Sequence, residues 1–138
     1  MTGPLDGYTV IDISAVVSGP MCAQVLGDQG ADVIKIEPLG IGDITRQGGY
    51  RVDDISAMFL SCNRGKKSVA LDLSQEAGID AVKRLAATAD VFVQNFRPGA
   101  ADRMGIGADA LHASNPDLIY VSISGFGSTG PYSQWRVY

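Results

Sequence analysis

The sequence predicts an α/β fold: a Rossmann-like, mainly parallel sheet flanked by helices. Three observations predict it. Short β-rich runs recur at Tyr8–Ile13, Asp32–Glu37, Ser68–Leu71, Val91–Val93 and Leu118–Ile123, with helical patterns between them. The first two runs are separated by about eighteen residues, the length of a crossover joining parallel strands. The 17 glycines show no repeat and lie mostly at the ends of these elements, so they read as turns and not as disorder. At 138 residues with 46% hydrophobic content, the chain is the size of one domain with a sizeable core.

The elements follow in order. After Tyr8–Ile13, a helix is expected over about residues 20 to 28, with Ser18 as its cap, Pro20 where a missing N–H costs nothing, and Gly30 as a left-handed C-terminal residue. Residues 38 to 52 read as a long polar loop, and a helix is expected from Asp53 or Asp54 through Cys62. The basic stretch Asn63-Arg64-Gly65-Lys66-Lys67 leads into the strand Ser68–Leu71. The next helix is expected to start at a Ser74 cap, with Ile79, Val82, Leu85 and Ala86 forming its apolar face and Lys83 and Arg84 in solvent. Short helices are expected at Ala100–Met104 and Ala108–Ser114, on either side of which lie the last two strands.

In open α/β sheets, ligands gather at the carboxyl ends of the strands. Four loops leave such ends: Ser14–Ser18, Asp72–Ser74, Asn95–Arg97 and Gly125–Gly127. The first has a single glycine, Gly19, where a dinucleotide site needs Gly-x-Gly-x-x-Gly, so the usual NAD or FAD site is excluded although Glu37 stands where a ribose-binding acid would. No P-loop is present, and His112, at a helix end, reads as structural. Cys22 and Cys62 lack metal-ligand spacing and read as reduced thiols. A net charge of −4 argues against general nucleic-acid binding, no apolar run is long enough to span a bilayer, and no secretory signal is evident, so a soluble, cytoplasmic protein is expected. The segment VQNFRPGAADRMG puts an amide, an aromatic ring and a guanidinium at one strand's end, with Arg103 shortly after. Phe96 offers stacking, Asn95 hydrogen bonds, and Arg97 and Arg103 anion contacts, a set suited to a base-bearing, phosphorylated ligand such as coenzyme A.

Five segments, PLDGYTVIDIS with SGPMCAQVLGDQGADVIKIEP, GDITR, NRGKKSVALDLS, DVFVQNFRPGAADRMG and NPDLIYVSISGFGSTGPY, together resemble the N-terminal part of the family III CoA-transferases, the CaiB/BaiF or formyl-CoA transferase family. The resemblance covers essentially the whole chain. It implies a CoA site at Val16, Val17 and Ser18, at Leu71, Asp72, Leu73 and Ser74, at Asn95, Phe96 and Arg97, and at Arg103 and Arg136. Val17 stands where some members have a catalytically useful Gln, and Pro38 where some have Arg. The resemblance further implies acyl-CoA and carboxylate substrates, no permanently bound cofactor and no metal. The family's nucleophilic Asp is expected downstream of Tyr138, so that residues 1–138 form the CoA-binding part of a large domain cut off before it and inactive alone. Two full-length chains of the family interlock as a homodimer, so this piece is expected to expose apolar patches. An α-methylacyl-CoA racemase of the same superfamily is an alternative, although racemases carry a His where Tyr138 stands; a non-catalytic CoA-binding module is another.

Overall fold

The computed structural model of the chain describes residues 3–135. Its main sheet contains β1 (Thr9–Asp12), β2 (Asp32–Glu37), β5 (Lys67–Ala70), β6 (Val91–Gln94) and β7 (Ile119–Ser122), in the order β5-β2-β1-β6-β7. All four pairings are parallel. The chain leaves the middle strand β1 toward one edge and later returns to its other side, so the order reverses between β1 and β6. That reversal is the switch point at which open α/β sheets open a crevice.

Alternation along the strands divides the core into two layers. Ile11, Ile36 and Phe92 face one side with α3 (Glu76–Ala86) and α5 (Ala108–His112), and Phe92 stacks on Tyr120 with ring centroids 5.4 Å apart. Val10, Val33 and Val93 face the other side, against Ala23 of α1 (Ser18–Asp28). The mid-strand positions are apolar on both faces because helices cover both.

Three local expectations are corrected. Helix α1 begins at Ser18, so Val17 occupies the cap position and no side chain caps it. Its other end does close at Gly30, which has φ +107°, with Gly30 and Ala31 N–H groups donating to the carbonyls of Gly27 and Leu26. Asp53 and Asp54 start no helix. Both have positive φ and form the turn between β3 (Arg51–Val52) and β4 (Ile55–Ser56), a conformation aspartate tolerates, and Ser56 caps the helix α2 (Ala57–Asn63) instead. Ser74 likewise does not cap α3. Its N–H and hydroxyl donate to Asp72 in a local turn, and Gln75 takes the cap position. His112 holds the carbonyl of Leu118 through Nε2 at 2.8 Å, the structural use expected of it.

Exposed apolar side chains gather on the β3–β4 hairpin and α2 (Tyr50, Val52, Ile55, Met58 and Leu60) and near the chain end, where Phe126, Tyr132 and Trp135 pack on one another. Among the described residues, no helix is long and apolar enough to cross a membrane.

Candidate functional site

Because the five strands are parallel, the loops that follow β1, β5, β6 and β7 emerge on one rim. Two neighbouring cavities open there. The first, about 340 Å³, lies at the switch point and is lined by Ser18, Phe96, Arg97, Ile123, Phe126 and Trp135 among others. The second, about 200 Å³, is bordered by Ala15, Lys35, Pro38, Asp43, Leu73 and Phe96 among others. Phe96 belongs to both walls and so divides them.

The residues singled out from the sequence separate into groups. Ser18, Asn95, Phe96 and Arg97 line the first cavity, and Leu73 lines the second. Asn95 also has a local duty: its Oδ1 accepts from Ala15 N–H at 2.9 Å and its Nδ2 donates to Ala15 carbonyl at 2.7 Å. Its amide therefore clasps the turn after β1. Val16 and Val17 are half-buried within that turn, whose neighbours Ala15 and Ser18 face the two cavities. Leu71 packs against the core, and Asp72 accepts from Ser74, which is exposed. Arg103, at the end of α4 (Ala100–Arg103), is exposed, and its guanidinium lies over Gly99 and not in either cavity wall. Arg136 and Tyr138 lie outside the described residues.

Beneath the rim lies a network of buried charge that the sequence reading did not find. Lys35 is 1% exposed and Asp12 0%. Lys35 Nζ donates to Ser14 carbonyl at 2.9 Å and sits 3.1 Å from Asp43 Oδ2 and 3.7 Å from Asp12 Oδ2. Lys66 Nζ, buried in turn, donates to Asp12 Oδ2 at 2.7 Å, Pro20 carbonyl at 2.7 Å and Asn63 Oδ1 at 2.9 Å. Burial pushes the Lys66 ammonium down, although Asp12 works against that. Burial also pushes the Asp43 carboxyl up, but its bonds from Thr45 and the Lys35 charge outweigh burial and hold it below the usual range.

Glu37 accepts from Arg46 Nε and Nη2 at 2.7 and 2.6 Å, from Ser68 Oγ at 2.6 Å and from Asp43 N–H at 2.8 Å. Its oxygens are thereby engaged, which agrees with excluding it as a ribose-binding acid. The only sequence signal for the network was a charged residue inside two apolar strands, Asp12 in VIDI and Lys35 in VIKIE.

Comparison with known proteins gives a consistent result. A model of CoA-transferase family III matches residues 5–138. The chain is 46% identical over 136 residues to an acetyl-CoA:oxalate CoA-transferase from Acetobacter aceti, covering 99% of this chain and 35% of that protein. It is 45% identical over 132 residues to a succinyl-CoA:glutarate CoA-transferase from Homo sapiens, covering 95% of this chain and 30% of the other. The chain thus spans about a third of the length of these curated relatives. Among solved structures, a CaiB/BaiF family protein from Brucella suis superposes with a TM-score of 0.94 at 44% identity, over 100% of this chain and 38% of that one. Rv3272 from M. tuberculosis superposes with a TM-score of 0.89 at 43% identity, over 96% of this chain and 38% of that one.

Proposed function

Given that the chain belongs to CoA-transferase family III, we propose that it forms the N-terminal, CoA-binding part of an enzyme that moves CoA from an acyl-CoA thioester to a free carboxylate. The observation that carries this reading is the switch-point cavity, where Phe96 and Trp135 offer aromatic surface and Arg97 a permanent positive charge beside the N terminus of α1. A base-bearing polyphosphate needs those features: flat apolar contact for the base, and charge that persists at any working pH for the phosphates. The N–H groups of Ser18 and Gly19 at the start of α1 have no intrahelical partner and add a favourable field for an anion, while Pro20 has no N–H to offer.

In this reading the nucleophile is an Asp outside residues 1–138. Its carboxylate attacks the thioester carbonyl, expelling CoA as thiolate and leaving an acyl–aspartyl anhydride. The thiolate then attacks the aspartyl carbonyl, releasing the first carboxylate and leaving an enzyme–CoA thioester. The acceptor carboxylate attacks the aspartyl carbonyl of that thioester, expelling the CoA thiolate and leaving a second acyl–aspartyl anhydride. The thiolate then attacks the acceptor's acyl carbonyl, forming the new acyl-CoA and releasing the Asp carboxylate. Covalent steps divide one difficult transfer into easier ones. The residues of this chain hold CoA through all of them, so the thiolate stays in place between its departure and return. A cytoplasmic homodimer of the complete protein belongs to the same proposal, with the exposed apolar surfaces of the β3–β4 hairpin and α2 covered there.

The test incubates the complete protein with an acyl-CoA and a free dicarboxylate, oxalate and glutarate in turn, and separates the products by chromatography. A new CoA thioester formed without loss of total thioester supports the reading, and residues 1–138 alone form none. Epimerisation of a 2-methylacyl-CoA with no CoA transfer would make the protein a racemase instead.

A further inference from the structure

The turn after β1 has an unusual backbone. Among the described residues, positive φ outside glycine occurs at Asp53, Asp54 and Val16. Aspartate tolerates that region, whereas a β-branched residue at φ +71° is strained. Such strain persists only where the surroundings over-determine it.

Here they do so with side chains. Asp12 Oδ1 accepts from Ser14 N–H at 3.0 Å, and Lys35 Nζ donates to Ser14 carbonyl at 2.9 Å. Asn95 takes both polar groups of Ala15. Asp43 Oδ1 stands 3.5 Å from Val16 N–H, at the long end of a hydrogen bond. Each backbone polar group from Ser14 N–H to Val16 N–H thus has a side-chain partner, and none is shared with a neighbouring strand. These side chains come from β1, β2 and the loops after β2 and β6, so the turn is gripped from several directions. Lys35 is the link among them, because it touches the turn and also pairs with Asp43. The turn in its strained form sets the entry of α1 and stands between the two cavities, with Ser14 and Ala15 on one and Ser18 on the other.

We infer that Lys35 and Asp43 are positioning residues for the CoA site: they hold Val16 in its left-handed conformation, which sets the α1 N terminus against the switch-point cavity. This rests on the proposed CoA function but assigns a task to two residues that reach neither CoA nor the reacting atoms. Without Lys35 and Asp43, Val16 relaxes toward extended backbone, and only the fraction of molecules that keeps the strained turn is competent to bind. Apparent affinity falls by that fraction.

The experiment is a calorimetric titration of coenzyme A into the complete protein in four forms: wild type, Lys35→Met/Asp43→Leu, Val16→Gly, and all three changes together. The paired substitution removes both charges and leaves neither buried alone, while Asp12 keeps Lys66. Relaxing a strained β-branched residue corresponds to roughly a five- to hundredfold loss of CoA affinity in the double variant. Glycine takes positive φ about as readily as negative, so in the Val16→Gly background the same pair costs only about two- to threefold. That rescue separates positioning from general damage, which would cost the same in both backgrounds. If circular dichroism shows the double variant unfolded, Asp43→Leu alone, which removes the acceptor of Val16 N–H while Lys35 keeps Asp12 3.7 Å away, is put through the same cycle and shows the same rescue. Unchanged affinity in the folded double variant, or an equal loss in both backgrounds, overturns the inference. A wild-type protein that fails to bind CoA at all overturns the proposed function itself.

Discussion

Replacing Arg46 by Met tests how the loop that carries Asp43 is fastened. Glu37 is 2% exposed, whereas the Arg46 side chain is 39% exposed. Burial alone pushes the Glu37 carboxyl up, but the two bonds from Arg46, with those from Ser68 and Asp43 N–H, outweigh it and hold it at about 2, against an ordinary 4.5. A carboxyl depressed in the folded state contributes stability that is present above pH 4.5 and is lost as the pH falls through about 2. The interval corresponds to roughly 3 kcal/mol, at about 1.4 kcal/mol for each tenfold. Solvent reaches the guanidinium and screens part of this, so Arg46→Met should cost about 2 kcal/mol at pH 7. Met keeps an apolar stem over the Phe59 ring, on which the guanidinium now sits 3.7 Å from the centroid, so the loss is mainly electrostatic. Without Arg46, Glu37 keeps its bonds from Ser68 and Asp43 N–H but binds a proton more readily, so the difference between the proteins narrows in acid, to about two-thirds of its neutral value or less by pH 3. Urea unfolding followed by circular dichroism at pH 7 and pH 3 measures both. A cost under about 0.5 kcal/mol at pH 7, or one that does not change with pH, would refute the reasoning.

Two further outcomes are expected. A Cβ at Gly19 would collide with the Ser14 side chain, so Gly19→Ala should displace the turn after β1 and weaken CoA binding by the complete protein at least about tenfold, with the far-ultraviolet spectrum retained. Phe92 is fully buried against Tyr120, so Phe92→Ala should lower the unfolding free energy by about 3–5 kcal/mol in urea; a loss under 1 kcal/mol would mean that this layer is not the core.

The sheet was legible because its signals are local. Runs such as Thr9–Asp12 and Val91–Gln94 are apolar on both faces, and crossovers of that length leave parallel pairing as the natural arrangement. Capping was less legible. Val17 and Gln75 occupy cap positions that Ser18 and Ser74 suit better by type, because Ser74 is held by Asp72 and the entry of α1 is set by the Val16 turn. The hairpin at Asp53-Asp54 was missed since aspartate serves equally as a cap and as a left-handed turn residue.

Of the candidate site, Phe96 and Arg97 were readable as chemistry at a strand's end, and both line the cavity. The clasp of Asn95 on Ala15 spans 80 positions, and the pairs Lys66–Asp12 and Glu37–Ser68 span 54 and 31. No periodicity encodes such distances. They exist only once β1, β2, β5 and β6 are side by side.

The most direct test of the central claim is a calorimetric titration of CoA into the complete protein and its Arg97→Ala and Lys83→Ala variants. Arg97 lines the switch-point cavity, whereas Lys83 lies on the exposed face of α3, away from both rim cavities. A charge-assisted hydrogen bond is worth roughly 1.5–3 kcal/mol, so Arg97→Ala should weaken binding about ten- to a hundredfold while Lys83→Ala leaves it unchanged. Equal affinities for wild type and Arg97→Ala would contradict the placement of CoA in this cavity.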